Sequence, residues 1–234
     1  MHLRRMLPFL FLPFLLIVLI KCKDIPYKTD KISEGFIEYK IEYLGDSLDQ
    51  FIQNFLPDRM KIKFKNDNTK NRLESMSGLF DLTNIKNYKN ETTVTLINFF
   101  NNKYKYVEKT GESSLFFKKR PNMTIQHTEK KKRIAGFTCN EAIITIPGTK
   151  HKPEEKFKVY FTKKIDVKGF NDQTPFSAIE GVLMEFQMQF YDIPMKFRAI
   201  RVKEQNIPSG EFDIPQDYKQ INRKTMIEII ELLK

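Results

Sequence analysis

The chain has 234 residues, with 40 Lys and Arg against 29 Asp and Glu, a formal charge of +11, and 13% aromatic residues without a single Trp. Its two cysteines, Cys22 and Cys139, exclude a multi-bridge disulfide scaffold, so the fold must be held by its core. The length suffices for one domain with a sizeable interior.

The chain opens with His2, Arg4 and Arg5, continues with the apolar run Met6–Ile20, and ends that run with Lys21-Cys22-Lys23-Asp24. A basic start, a short greasy stretch and a cysteine at its end read as a lipoprotein export signal. The run is shorter than the roughly 20 residues of a spanning helix. Pro8 and Pro13 interrupt it, and no comparably long apolar stretch follows. The expected organisation is therefore a signal peptide over 1–21, a tether over 22–31 anchored by lipid on Cys22, a domain over 32–222 and a terminal helix over 223–234. Lys21 stands where Gly, Ala or Ser is usual, and the rival reading is plain secretion with cleavage near Cys22. Losing Met1–Lys21 removes Arg4, Arg5 and Lys21 and no acidic residue, so +11 becomes +8. A basic exported protein meets anionic headgroups or acidic glycans. Nucleic acid is not an expected partner.

The mature chain reads as mostly strand. In Gly35–Leu44, Ile37, Tyr39, Ile41 and Tyr43 alternate with Glu38, Lys40 and Glu42, the period-two pattern of an antiparallel sheet with one wet face. Asp46–Leu56 switches to helical spacing through Leu48, Phe51, Ile52, Phe55 and Leu56, and Pro57 ends it. Met60–Lys65 alternates again through Met60, Ile62 and Phe64. Arg72–Ser77 and Leu79–Ile85 follow, then Thr92–Phe100 and Lys103–Lys109 as a hairpin about Asn101-Asn102. Ser114–Lys118 and Met123–Thr128 are weaker candidates. Lys132–Phe137 and Thr138–Pro147 flank a bend at Gly136. Lys156–Ile165 alternates through Phe157, Val159 and Phe161. Ile165–Gly181 is irregular. Val182–Tyr191 and Ile193–Lys203 form a second hairpin, Glu211–Lys219 is an extended tail, and Thr225–Leu233 reads as a helix. The expected fold is α+β and mainly β: one large, strongly curved antiparallel sheet wrapped around at least one helix.

Four short segments resemble known ones. Arg133-Ile134-Ala135-Gly136-Phe137-Thr138-Cys139 resembles the strand-bend motif of the DUF4412-type family of exported Bacteroidota proteins, and Gly181-Val182-Leu183-Met184-Glu185-Phe186 resembles its second motif. Ala199–Lys203 and Glu211–Lys219 resemble its closing strand and Phe-x-x-Pro-x-x-Tyr element. That family is similar to the lipoprotein carriers and receptors of the LolA and LolB type. The resemblance implies an open half-barrel covered by helices, with an apolar cavity for acyl chains. It carries over no catalytic residue.

Three sets of residues are candidates for function. Cys22 is the expected lipidation site. Met184, Phe186, Met188 and Phe190 lie on one side of a strand, Met195 and Phe197 answer from the next, and Phe51 and Phe55 line the expected helix. Soft, adaptable side chains of this kind suit an acyl-like ligand, and they suit plain core packing equally. Lys118, Lys119 and Arg120, followed by Lys130, Lys131, Lys132 and Arg133, are a candidate site for anionic headgroups if both groups meet on one rim. No catalytic residue, metal ligand or cofactor is expected. His127 and His151 stand apart, and no metal, P-loop, dinucleotide or nucleophile-elbow motif occurs. Cys139 reads as a small buried hydrophobe, and Glu180 and Glu185 as members of a solvated face. The expected protein is a monomeric, non-enzymatic envelope lipoprotein of the outer membrane, facing periplasm or cell surface, or else a soluble periplasmic or secreted one. It either binds a lipid-like ligand between sheet and helix, or serves as an interaction module with a solid core that docks an envelope protein.

Overall fold

Alternation of apolar and charged residues sets the architecture, because successive strand residues point to opposite faces. The computed structural model describes residues 31–45, 56–75, 80–109, 112, 114–116, 122–190 and 193–231, with the backbone alone at positions 74, 80 and 190. The expected leader, Cys22 and most of the tether lie outside the described residues, as do positions 46–55 of the expected helix (Phe51 and Phe55 among them) and Lys118, Lys119 and Arg120.

Six strands form a first antiparallel meander: β1 (Glu34–Tyr43), β2 (Pro57–Lys65), β3 (Asn68–Ser75), β4 (Phe80–Asn87), β5 (Thr92–Phe99) and β6 (Asn102–Glu108). Five form a second: β7 (Thr124–Ile134), β8 (Phe137–Ile146), β9 (Glu155–Thr162), β10 (Val182–Phe190) and β11 (Ile193–Glu204). Antiparallel pairing of β1 with β11 joins them, with Tyr39 opposite Ala199 and Ile41 opposite Phe197. The short β12 (Lys219–Gln220) lies parallel to β6, giving one unclosed sheet in the order β12-β6-β5-β4-β3-β2-β1-β11-β10-β9-β8-β7.

The hairpin turns obey local chemistry. Asn66-Asp67, Phe100-Asn101 and Ala135-Gly136 each place two successive residues at positive φ, as tight hairpins with the right strand twist require. The β5–β6 turn is thus Phe100-Asn101, one residue earlier than expected. Asn101 takes the left-handed conformation readily, and Phe100 is left exposed by it. The expected strands Met123–Thr128 and Lys132–Phe137 are one strand, β7, irregular between His127 and Lys131. Residues 114–116 are not strand.

One face of the sheet, here termed inner, carries Ile37, Tyr39 and Ile41 of β1 with Met60, Ile62 and Phe64 of β2. At its centre the Phe186 and Phe197 rings stack at 5.0 Å, with Tyr39 edge-on to Phe186 at 5.9 Å. The irregular segment 165–181 returns over this face and inserts Phe176, which is 1% exposed and packs edge-on to Phe157 and Phe186. A second apolar cluster joins Leu82, Ile97 and Tyr106 to α1 (Arg223–Glu231) through Met226 and Ile230. Asn222 caps this helix, its side-chain oxygen accepting from the Thr225 amide at 2.9 Å.

The Tyr39 hydroxyl donates to the Leu183 carbonyl at 2.7 Å, reaching from β1 across to β10 where β10 shifts register. Tyr39 is fully buried, and burial drives its ionisation far above the ordinary range. Tyr39→Phe strands that carbonyl without its partner. Denaturant unfolding is expected to show a loss of about 1–3 kcal/mol.

A cationic groove as the candidate functional site

On the other, outer face, β2 presents Arg59, Lys61, Lys63 and Lys65, the positions between its core residues. Pairing sets like charges opposite one another: Lys61 faces Arg72 and Lys63 faces Lys70 on β3, while Arg59 faces Lys40 on β1. Directly opposed like charges destabilise a sheet. Carboxylates relieve part of the repulsion. Glu38 of β1 approaches Lys61 at 3.4 Å and Arg201 of β11 at 3.2 Å. Glu211 approaches Lys63 at 2.8 Å and Lys70 at 3.0 Å. Burial pushes the Glu211 carboxyl upward, but the two ammonium groups outweigh it and hold it below the usual carboxylate range. Lys61 and Arg201 also lie over the Phe36 ring, at 4.4 and 4.8 Å from its centre.

Glu211 comes from far along the chain. After β11, residues 205–218 cross the outer face as a strap. Lys65 donates to the Ile207 carbonyl at 2.7 Å, and Lys70 to the Glu211 carbonyl at 3.2 Å. A 3-10 turn over Ser209–Phe212 positions Glu211. Phe212, Ile214 and Tyr218 then cover Ile85, Val94 and Leu96 on β4 and β5. What the strap leaves open is a groove of about 340 Å³, lined by Glu38, Arg59, Met60, Lys61, Lys63, Lys70, Arg72 and Glu211. Five cations thus meet two carboxylates. Arg72 also pairs with Asp81, Nε donating at 2.6 Å.

Farther along the outer face, the second meander holds two buried carboxylates. Glu185 is ringed by Lys132 at 2.7 Å, Lys196 at 3.5 Å and Arg198 at 3.6 Å. Glu141 accepts from the Tyr160 hydroxyl at 2.8 Å and from Thr128 at 3.2 Å, with Lys158 at 3.3 Å. Tyr160 leads the groups that hold the Glu141 carboxyl low, although burial opposes them. Lys132 also lies over the Tyr160 ring at 4.8 Å. This is an internally paired network.

The residues singled out from sequence separate accordingly. Lys130, Lys131, Lys132 and Arg133 are consecutive in β7, so they divide between two faces and do not converge as one basic rim; Lys132 is engaged with Glu185. Met184, Phe186, Met195 and Phe197 come together, each at most 5% exposed, in the core around Phe176, and Met188 packs partly buried against them. At Phe190 the backbone alone is described, paired with Ile193. Cys139 is fully buried, and burial pushes its thiol up to about 11. His127 stacks edge-on against Phe161 at 5.5 Å. Among the described residues, no three His, Cys, Asp or Glu side chains are grouped to hold a metal ion. The groove cations went unread in sequence because attention went to consecutive basic residues. In a strand the signal is every second residue, as in Arg59, Lys61, Lys63 and Lys65.

No family model matches the chain, and no curated protein matches it. Among solved structures it is similar to LprF from Mycobacterium bovis, at 10% identity over 82% of this chain and 92% of that one, with a TM-score of 0.31. No helix among the described residues is long and apolar enough to cross a membrane.

Two outcomes follow from these carboxylates. Glu185→Gln leaves Lys132, Lys196 and Arg198 without their shared counter-charge, and thermal unfolding is expected to show a loss on the order of 2 kcal/mol. Glu108 of β6 behaves differently. Burial, only partly offset by Arg223, pushes its carboxyl up to about 7, where it sits between Thr95 and Gln173. Its folded form therefore keeps a proton that the unfolded form has released. This contribution to stability is complete below the unfolded carboxyl range and declines as pH rises toward about 7. Urea unfolding of Glu108→Gln at several pH values is expected to show that decline flattened.

Proposed function

We propose that this chain is an exported, non-enzymatic lipoprotein, tethered through Cys22, whose domain works as an interaction module by its surface. The observation that carries the module reading is the filled inner face. Phe176 packs on Phe186, which stacks on Phe197, and among the described residues the side chains that could have lined an acyl cavity, Met184, Phe186, Met195 and Phe197, are buried together there. The outer face supports the same reading from the other side, with cations in excess over carboxylates around an open groove. Export and lipidation rest on the residues around Cys22 and on the apolar run before them. The relation to the DUF4412-type family and to LolA-like carriers is part of this proposal and rests on the motifs quoted above.

Mass analysis of the mature N-terminus tests the tether. A diacylglycerol thioether on Cys22, absent from Cys22→Ser, is expected; an unmodified or uncleaved N-terminus contradicts it. Native mass spectrometry after gentle purification tests the module. The expected species carries no apolar ligand in its interior, and a lipid copurifying in fixed stoichiometry with the Cys22→Ser chain overturns the reading in favour of a carrier.

A further inference from the structure

We infer that the groove between β1, β2, β3 and the strap binds a phosphate-bearing group with two or more negative charges. The inference takes from the preceding reading only that the outer face is the working surface; it does not depend on lipid at Cys22.

The argument starts from a cost. Three cross-strand positions oppose cation to cation: Lys61 with Arg72, Lys63 with Lys70, and Arg59 with Lys40. A sheet needing only a solvated face gains nothing from this arrangement. Carboxylates offset it in part: Asp81 pairs with Arg72, and Glu74 stands opposite Arg59 in register. Glu211 is shared by Lys63 and Lys70, and Glu38 by Lys61 and Arg201. Each acid meets two cations, so positive charge is left over at both. Arg59 faces Glu74 of β3 as well as Lys40, and Asp58 lies 3.9 Å from it, with the Arg59 and Asp58 side chains both more than half exposed. The lining carries five cations and two carboxylates, and with Asp81 on Arg72 counted the excess is +2.

Glu211 also shows how the groove takes an anion. Its two oxygens draw in two ammonium groups from adjacent strands, at 2.8 and 3.0 Å. Beside it, Arg59, Lys61 and Arg72 border the open volume of about 340 Å³. A single carboxylate ligand would neutralise one of the excess charges. A phosphate monoester or diphosphate offers several oxygens and at least two charges, and guanidinium forks match that geometry. Two sources share this chemistry, a phosphorylated lipid headgroup and a free polyphosphate.

Calorimetric titration of the purified full chain tests the site with two soluble probes, inorganic pyrophosphate and dihexanoyl phosphatidic acid, the latter below its micellar concentration. Saturable binding of at least one is expected. Stronger binding of phosphatidic acid assigns the headgroup source, and stronger binding of pyrophosphate the free one. Arg59→Ala with Lys61→Ala is expected to weaken the bound probe about tenfold or more. Lys131→Ala with Arg133→Ala removes the same charge from the exposed β7 edge and is expected to leave affinity unchanged. Equal loss in both double variants, or no binding of either probe by a parent chain with a cooperative unfolding transition, overturns the inference. A chain lipidated at Cys22 that ignores both probes loses this site and keeps the tethered module. Matching unfolding transitions for the two double variants ensure that the comparison reads binding and not folding.

Discussion

The pairing of β1 with β11 is the contact on which the rest depends. Each meander could form its own ladder from local turns, but neither would then have a continuous inner face. Joining Tyr39 to Ala199 and Ile41 to Phe197 brings residues about 160 positions apart into one ladder. The small Ala199 is buried opposite Tyr39, and the Tyr39 hydroxyl passes to the Leu183 carbonyl on the next strand but one. The same pairing brings Glu38 to Arg201 on the outer face. A seam that completes the core therefore also builds one wall of the charged groove.

The two faces answer opposite physical demands. The described core on the inner face is held by dispersion and exclusion of water, with Phe176 delivered by a segment that has no regular structure of its own. That segment is fixed by polar contacts. Asn171 donates to the Ile179 and Gly181 carbonyls, both at 2.8 Å, and Lys86 donates to the Gly169 carbonyl at 2.7 Å. The outer face is held by ion pairs, which are strong only where water is partly excluded. Glu185, at 6% exposure, meets that condition. The groove is more open, and its cations keep the capacity to take a further anion.

Much of the fold is legible locally. The alternation in Gly35–Leu44 and Met60–Lys65 gives β1 and the body of β2, and the paired runs around Asp192 give β10 and β11. Local signals fail where charge interrupts a strand. Glu129, Lys130 and Lys131 break the apolar pattern of β7, so one strand reads as two, yet backbone pairing carries it across the irregularity. The helical signal at Asp46–Leu56 falls almost wholly outside the described residues. The candidate site is less legible still. The cationic row on β2 is written in the sequence at every second residue, but its partners are not. Lys70 and Arg72 arrive through register, and Glu211 arrives through a strap that no local pattern places on the outer face. The candidate apolar residues Met184, Phe186, Met195 and Phe197 are legible as neighbours, while Phe176, which packs against Phe186, comes from an irregular stretch.

Residue-resolved amide hydrogen exchange across the seam tests the central claim, that the two meanders form one sheet with a shared core. The account predicts that β1 and β11 amides paired between the meanders, such as those around Ile37, Ile41 and Phe197, are among the slowest in the chain and open together with β2 and β10. Exchange at the seam as fast as in β7, the last strand in the sheet order, with each meander protected separately, would contradict it.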